Sequence, residues 1–222
     1  MNVLLYGATG MVGSGVLLEC LDDERVESVL IVGRHAHGVT HAKVHQEVRK
    51  NVADLAGLED RLARCDACFF CLGVSAAGLD EARYSRLTFD LTVKVAEQLA
   101  AVRPDATFCY VSGAGTDGSE KGRFMWARVK GRTENRLLEM FPNAFMFRPG
   151  YIQPKRGVRS RTRLYRALYA IAAPLYPILR RLGPRLMTTT VDVGRAMIEA
   201  AAGGYPERIL EVADINALAQ RT

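Results

Sequence analysis

Near the start of the chain, Gly7-Ala8-Thr9-Gly10-Met11-Val12-Gly13 follows directly on the apolar run Val3-Leu4-Leu5-Tyr6. Glycines at these intervals, between a strand and the opening of a helix, suit phosphate capture. Gly7 permits a tight turn, Gly10 lets the backbone approach a pyrophosphate, and Gly13 allows helix and strand to pack closely. The helix N-terminus then offers free amides and a favourable dipole to the anion. The expected contacts to a dinucleotide are therefore Gly7, Thr9, Gly10, Met11, Val12 and Gly13.

The next apolar run, Val29-Leu30-Ile31-Val32, ends in Gly33-Arg34. A site that prefers NAD usually carries an acidic residue here to hold the ribose hydroxyls. A guanidinium suits a 2′-phosphate instead, which it can grip with two parallel hydrogen bonds. The cofactor expected is NADP, with NAD as the alternative; Arg34 could also be a solvated surface residue. Asp54, after the third strand, is either an adenine-side contact or a helix N-cap. Leu72-Gly73 closes the fourth strand, where the chain would pass the cofactor ribose.

These residues need a scaffold that brings strand ends together. Apolar, β-branched segments alternate with segments of helical period: Val3 to Tyr6, Met11 to Leu21, Ser28 to Val32, Val44 to Val48 and Asp54 to Ala63. The rhythm continues through Ala67 to Leu72, Ala82 to Val102, Thr107 to Ser112, Phe124 to Met140 and Ala144 to Phe147. Such alternation predicts an α/β fold, a Rossmann-type doubly wound parallel sheet with helices on both faces. Residues 1–150 are expected to form the NAD(P)-binding domain. Residues 151–222, where the pattern becomes basic and proline-punctuated before a helix from Val191 to Ala202 and a strand from Arg208 to Val212, are expected to form a small C-terminal lobe over the strands' carboxyl ends.

With the glycine loop, Leu72-Gly73, Ser112, Val129-Lys130-Gly131 and Phe147-Arg148-Pro149-Gly150 in this order, the chain resembles the atypical and extended short-chain dehydrogenase/reductases. Within them it is similar to the small proteins around the Tat-interacting oxidoreductase-like group and the bacterial nucleoside-sugar epimerase-like proteins. The resemblance covers nearly the whole chain. It implies that Arg148, Pro149 and Gly150 border the cofactor, and that the chemistry uses a serine after the fifth strand with a Tyr-x-x-x-Lys pair on the next helix. In that arrangement tyrosine moves the proton, lysine lowers its pKa and holds the nicotinamide ribose, and serine orients the substrate.

Ser112 and Lys130 match this pattern. Four residues before Lys130, however, stands Trp126, whose indole N–H cannot shuttle a proton near neutral pH. Tyr151, or failing that Tyr110, could substitute, so the catalytic set expected is Ser112, Lys130 and Tyr151. The function implied is an NADP-binding reductase-like protein that reduces or epimerises a small carbonyl or hydroxyl substrate. The alternative is a non-catalytic, NADP-bound redox sensor or assembly factor. The glycine-rich stretch from Gly113 to Gly122 reads as a surface loop or as a lid.

Five cysteines include Cys65, Cys68 and Cys71, but no second pair exists to complete a tetrahedral metal site, so buried reduced thiols are expected. Net charge is +6, and from Arg148 through Arg185 there are ten basic residues and no acidic one. As a helix, Ser160 to Ala173 would carry an apolar stripe, an aromatic stripe (Tyr165, Tyr169) and a basic stripe (Arg159, Arg163, Arg166). The segment 155–185 could meet an anionic small-molecule substrate, a peripheral membrane surface or an acidic protein. Nucleic acid is disfavoured, because no nucleic-acid-binding motif accompanies the arginines. The chain opens on a strand without a basic n-region or cleavage site, so a cytoplasmic protein is expected.

Overall fold

A computed structural model describes residues 1–158 and 186–221. The basic stripes read over 159–173 lie outside these residues, as does the rest of 159–185. β1 (Asn2–Tyr6), β2 (Ser28–Gly33), β4 (Ala67–Phe70), β5 (Thr107–Val111) and β6 (Ala144–Phe147) are runs of buried apolar side chains. Strands so apolar on both faces belong in the middle of a parallel sheet covered on both sides. β3 (Val44–Val48) carries His45, Gln46 and Glu47 and lies at an edge, where polar residues blunt further pairing. With β9 (Ile209–Leu210), these strands form a seven-stranded parallel sheet in the order β3-β2-β1-β4-β5-β6-β9. The order reverses between β1 and β4, and in such sheets a ligand crevice opens at that switch point, above the strands' carboxyl ends.

Alternate residues of β1 feed two separate core layers. Val3 and Leu5 join Val16, Leu17 and Cys20 of α1 (Met11–Asp22) and Val193, Met197 and Ile198 of α6 (Thr190–Gly203). Leu4 and Tyr6 join the opposite layer, with Val95 and Leu99 of α4 (Leu91–Val102) and Leu137 of α5 (Met125–Met140). In that layer Tyr6 stacks on Phe70 at 5.1 Å between ring centroids, and the Tyr6 hydroxyl donates to the Val52 carbonyl.

The doubly wound parallel sheet matches the sequence expectation, while three elements depart from it. Of the helix expected over Asp54 to Ala63, only α2 (Glu59–Leu62) forms. Asn51 Oδ1 accepts from the Ala53 amide and Asp54 Oδ1 from the Ala56 amide, so side chains hold the backbone in turns that compete with a helix. The helix expected over Ala82 to Val102 is divided into α3 (Glu81–Ser85), a π-helical turn (Arg86–Asp90) and α4. Glu211 opens α7 (Val212–Leu218) through a capping box with Asp214, which shortens the last strand.

Past residue 150, β7 (Tyr151–Gln153) pairs in parallel with β8 (Met187–Thr189) as a separate two-stranded sheet. The chain then returns to the main body: α6 packs along α1, β9 extends the large sheet, and α7 covers it. Thr189 and Asp192 form the capping box that starts α6, with the Asp192 amide donating to Thr189 Oγ1 at 3.0 Å. Among the described residues, no helix is long and apolar enough to cross a membrane.

Candidate functional site

β1 ends at Tyr6 and the backbone turns at Gly7 with φ +80°, a conformation that suits glycine. A Cβ on Gly7 would lie 2.7 Å from the Cys71 carbonyl carbon, and one on Gly13 would lie 2.2 Å from the Gly7 carbonyl oxygen. The loop is thus pressed between the start of α1 and the end of β4. The Gly10 amide donates to the Gly7 carbonyl, and Ser14 Oγ fastens the Ala8 carbonyl at 2.6 Å. Gly10 caps α1 without a side chain, and the first turn contains no acid. The amides of Met11, Val12 and Gly13 therefore have no intrahelical partner and face an open end. This cradle fits a pyrophosphate.

Beside it lies a cleft of about 370 Å³ lined by Gly7, Ala8 and Thr9, the end of β2 through Gly33, Arg34 and His35, then Lys50, Asn51, Val52, Leu72, Val74, Leu87 and Leu91. Its walls are apolar at Ile31, Val52, Leu87 and Leu91, and its rim is cationic at Arg34 and Lys50. No acidic residue lines it. Among the described residues neither cation is held in an ion pair. The arrangement offers apolar walls to a flat ring and a cationic rim to an anion.

Asp54 lies beyond this lining. It is exposed, with its carboxylate on the Ala56 amide, and Asn51 and Val52 form the wall where an adenine contact was expected. Leu72 lines the cleft, and the exposed Gly73 follows it. Lys50, Leu87 and Leu91 were missed by sequence reasoning. Lys50 sits two residues past β3 at the same carboxyl edge as Arg34, a signal the spacing did contain. Leu87 falls on the π-helical turn, for which the sequence offers no sign.

Ser112 immediately follows β5, at the strand edge next to Leu72. Its Oγ lies 2.5 Å from Glu134 Oε1 and 3.1 Å from the Phe147 carbonyl. Glu134 is fully buried on α5, one turn after Lys130, and receives the Arg148 guanidinium through Nε and Nη2. The Arg148 side chain is thereby occupied by Glu134, and its Nη1 lies 3.4 Å from Glu211. The Pro149 carbonyl accepts from the Ala114 amide, and Gly150 packs against the Leu186 carbonyl. Glu134 also escaped the sequence reading, although its i,i+4 spacing from Lys130 puts both on one helix face.

The Lys130 ammonium donates to the Ser112 carbonyl. Burial draws its pKa down from the ordinary lysine range to about 8, with Glu134 pulling the other way. Trp126 is half-buried, its Cη2 3.4 Å from where a Cβ on Gly115 would stand. Tyr110 is core: it is 1% exposed, hydrogen-bonded to Thr133, and burial pushes its phenol well above the usual range. The Tyr151 hydroxyl donates to Gln153 Oε1 at 2.8 Å.

The stretch from Gly113 to Gly122 is a surface loop tied to α5. Asp117 accepts from the amides of Ser119 and Gly122, the Asp117 amide donates to the Ala127 carbonyl, and Asn135 holds the Gly118 carbonyl. None of the five cysteines is joined in a disulfide, and no group of three or more metal-ligating side chains occurs among the described residues.

A Rossmann sheet, a glycine cradle at the start of α1, a serine just past β5 and a lysine on α5 define the class: a protein of the short-chain dehydrogenase/reductase type. No protein-family model matches the sequence. Protein fmp52-1, mitochondrial, of Aspergillus terreus is 30% identical over 162 residues, covering 70% of this chain and 68% of that protein. Protein HTATIP2 of Rattus norvegicus is 28% identical over 155 residues, 68% of this chain and 62% of the rat protein. The chain belongs to the atypical short-chain dehydrogenase/reductases, with FMP52 and HTATIP2 proteins among its relatives.

The crystal structure of Bordetella bronchiseptica WbmF in complex with NAD+ and UDP shares the fold, with a TM-score of 0.63 at 17% identity, covering 99% of this chain and 76% of WbmF. A UDP-glucose 4-epimerase from Thermotoga maritima and the NADPH-dependent reductase YwfH share it too, with TM-scores of 0.64 and 0.65. The chain thus has the fold of these enzymes. The cytoplasmic expectation is corrected: the fungal relatives are named mitochondrial, which points away from a plain cytoplasmic assignment. An unremarkable N-terminus was the only ground for it.

Proposed function

We propose that this protein binds NADP(H), and that it acts as an oxidoreductase or epimerase on a small carbonyl or hydroxyl compound. The observation that carries the cofactor choice is the pair of cations, Arg34 and Lys50, in no ion pair among the described residues, on the rim of a cleft whose described lining contains no acid. In this reading Gly7, Thr9, Gly10, Met11, Val12 and Gly13 hold the pyrophosphate. Arg34 grips the 2′-phosphate with Lys50 beside it, and Leu87 and Leu91 cover the adenine. Leu72 and Gly73 pass the ribose on the nicotinamide side, where Lys130 meets its hydroxyls. When bound, the cofactor supplies hydride chemistry; the chain supplies orientation and the proton.

Titration of the purified protein with NADPH, followed by cofactor fluorescence, tests this. Arg34→Asp removes charge-assisted hydrogen bonds to phosphate and places a carboxylate there, so NADPH binding is expected to weaken by about 10- to 100-fold while NADH binding holds or improves. Unchanged NADPH affinity in the variant would refute the role of Arg34.

Specific observations also favour a second reading, a cofactor-bound sensor or assembly factor without turnover. Trp126 occupies the tyrosine position, and the Ser112 hydroxyl lies against Glu134. Turnover separates the two readings.

A further inference from the structure

The proton-moving position is taken by an indole, so another group must move the proton if this site reduces a carbonyl. Tyr110 is buried under the sheet's helical cover, away from solvent. The Ser112 hydroxyl lies 2.5 Å from Glu134, a fully buried carboxylate that needs its donors. The Tyr151 hydroxyl lies on Gln153. Lys130 differs. Its ammonium carries three N–H bonds, and the Ser112 carbonyl accepts from it at the strand edge one position over from Leu72 of the nucleotide cleft.

We propose that Lys130 is the acid–base group of this site, transferring to or from the substrate oxygen the proton that a tyrosine moves in the relatives' pattern. The inference rests on the nicotinamide reading above. In the reducing direction a carbonyl carbon gains a C–H bond by accepting hydride from a reduced nicotinamide dinucleotide, and the C=O π pair moves to oxygen. Lys130 gives that oxygen one proton and becomes a neutral amine, which water reprotonates. The carbonyl is reduced and the dinucleotide oxidised. The reverse direction takes the alcohol proton onto the neutral amine.

The surroundings suit the task. Glu134 lies one turn along α5, Arg148 reaches Glu134 from just past β6, and the chain just past β5 presents the uncharged Ser112 peptide and hydroxyl. Burial brings the amine to about 8, so it is mostly protonated at neutral pH and still able to release its proton.

The full-length protein is assayed for NADPH binding, and for NADPH oxidation with 9,10-phenanthrenequinone and a panel of aldehydes and ketones. Expected is turnover that falls as pH rises through about 8. In Lys130→Arg, which keeps the charge but does not titrate, turnover at saturating NADPH is expected to drop by about 100-fold, the usual range for losing a positioned acid. Independently of activity, a ¹³C-methylated lysine signal absent from Lys130→Arg is expected to titrate near 8. Bound NADPH without wild-type turnover, a pH profile unchanged in Lys130→Arg, a titration in the ordinary lysine range, or turnover that appears only in Trp126→Tyr would each overturn the proposal. Failure of the wild type to bind NADPH would instead remove the nicotinamide reading on which it rests.

Discussion

Glu134→Ala is expected to destabilise the protein by about 3–5 kcal/mol, the cost of leaving a buried charge without its partner. Glu134 is fully buried and the Arg148 side chain is 14% exposed, so solvent screens their pairing little. Removing the carboxylate leaves the guanidinium with only the exposed Glu211 carboxylate at 3.4 Å, and the Ser112 hydroxyl with only the Phe147 carbonyl as its recorded partner. Glu134→Gln keeps the volume and one acceptor and should cost less. Arg148→Ala in the Glu134→Ala background should recover part of the loss, since it removes the orphaned charge. Guanidinium unfolding midpoints for the four proteins check this. A loss under about 1 kcal/mol in Glu134→Ala would show that the pair is not the buried support described here.

The second large effect lies at the cradle. A Cβ on Gly13 would stand 2.2 Å from the Gly7 carbonyl oxygen and 2.5 Å from its carbon, both backbone atoms with no side-chain freedom to yield. Gly13→Ala must therefore open the loop and draw the Met11 and Val12 amides away from a bound pyrophosphate. NADPH binding is expected to weaken by about 100-fold or more, and the overpacking to cost about 1–3 kcal/mol of stability. Gly10→Ala, whose Cβ would stand 3.3 Å from the same oxygen, is the milder comparison. Fluorescence titration beside a thermal melt separates binding from folding. NADPH affinity within threefold of wild type in a folded Gly13→Ala would argue against the pyrophosphate cradle.

The parts of the fold with uniform apolar strands were legible in advance. Runs such as Ala67-Cys68-Phe69-Phe70 have one comfortable place, the middle of a parallel sheet, and the glycine loop sits where strand and helix had to meet. The helix expected from Asp54 did not form because Asn51 and Asp54 turn their side chains onto nearby amides, a local competition that a window of apolar spacing does not register. The return of the chain beyond residue 186 onto α1 and the outer edge of the large sheet depends on long-range packing at Gly15 and Gly194. A Cβ on Gly15 would meet Thr190 at 2.5 Å.

At the site, charge exposed Arg34, and the family resemblance brought out Ser112, Lys130 and the anomaly of Trp126. They did not expose what Ser112 touches. A buried glutamate is ordinarily a poor guess for a helix position, and only the approach of Arg148 from a neighbouring strand makes Glu134 tolerable there. The same pairing occupies the Arg148 side chain, which motif order alone had placed at the cofactor. Lys50 became visible once β2 and β3 were seen to end side by side, so that two cations from separate strands share one rim.

The central claim is that the cleft between the glycine loop and the ends of β2 and β3 holds a 2′-phosphorylated dinucleotide. Parallel titration of the wild-type protein with NADPH and NADH at moderate ionic strength tests it most directly. NADPH is expected to bind at least about tenfold more tightly, as one set of charge-assisted contacts to the extra phosphate would provide. Equal affinity for the two, a preference for NADH, or no binding of either would contradict it.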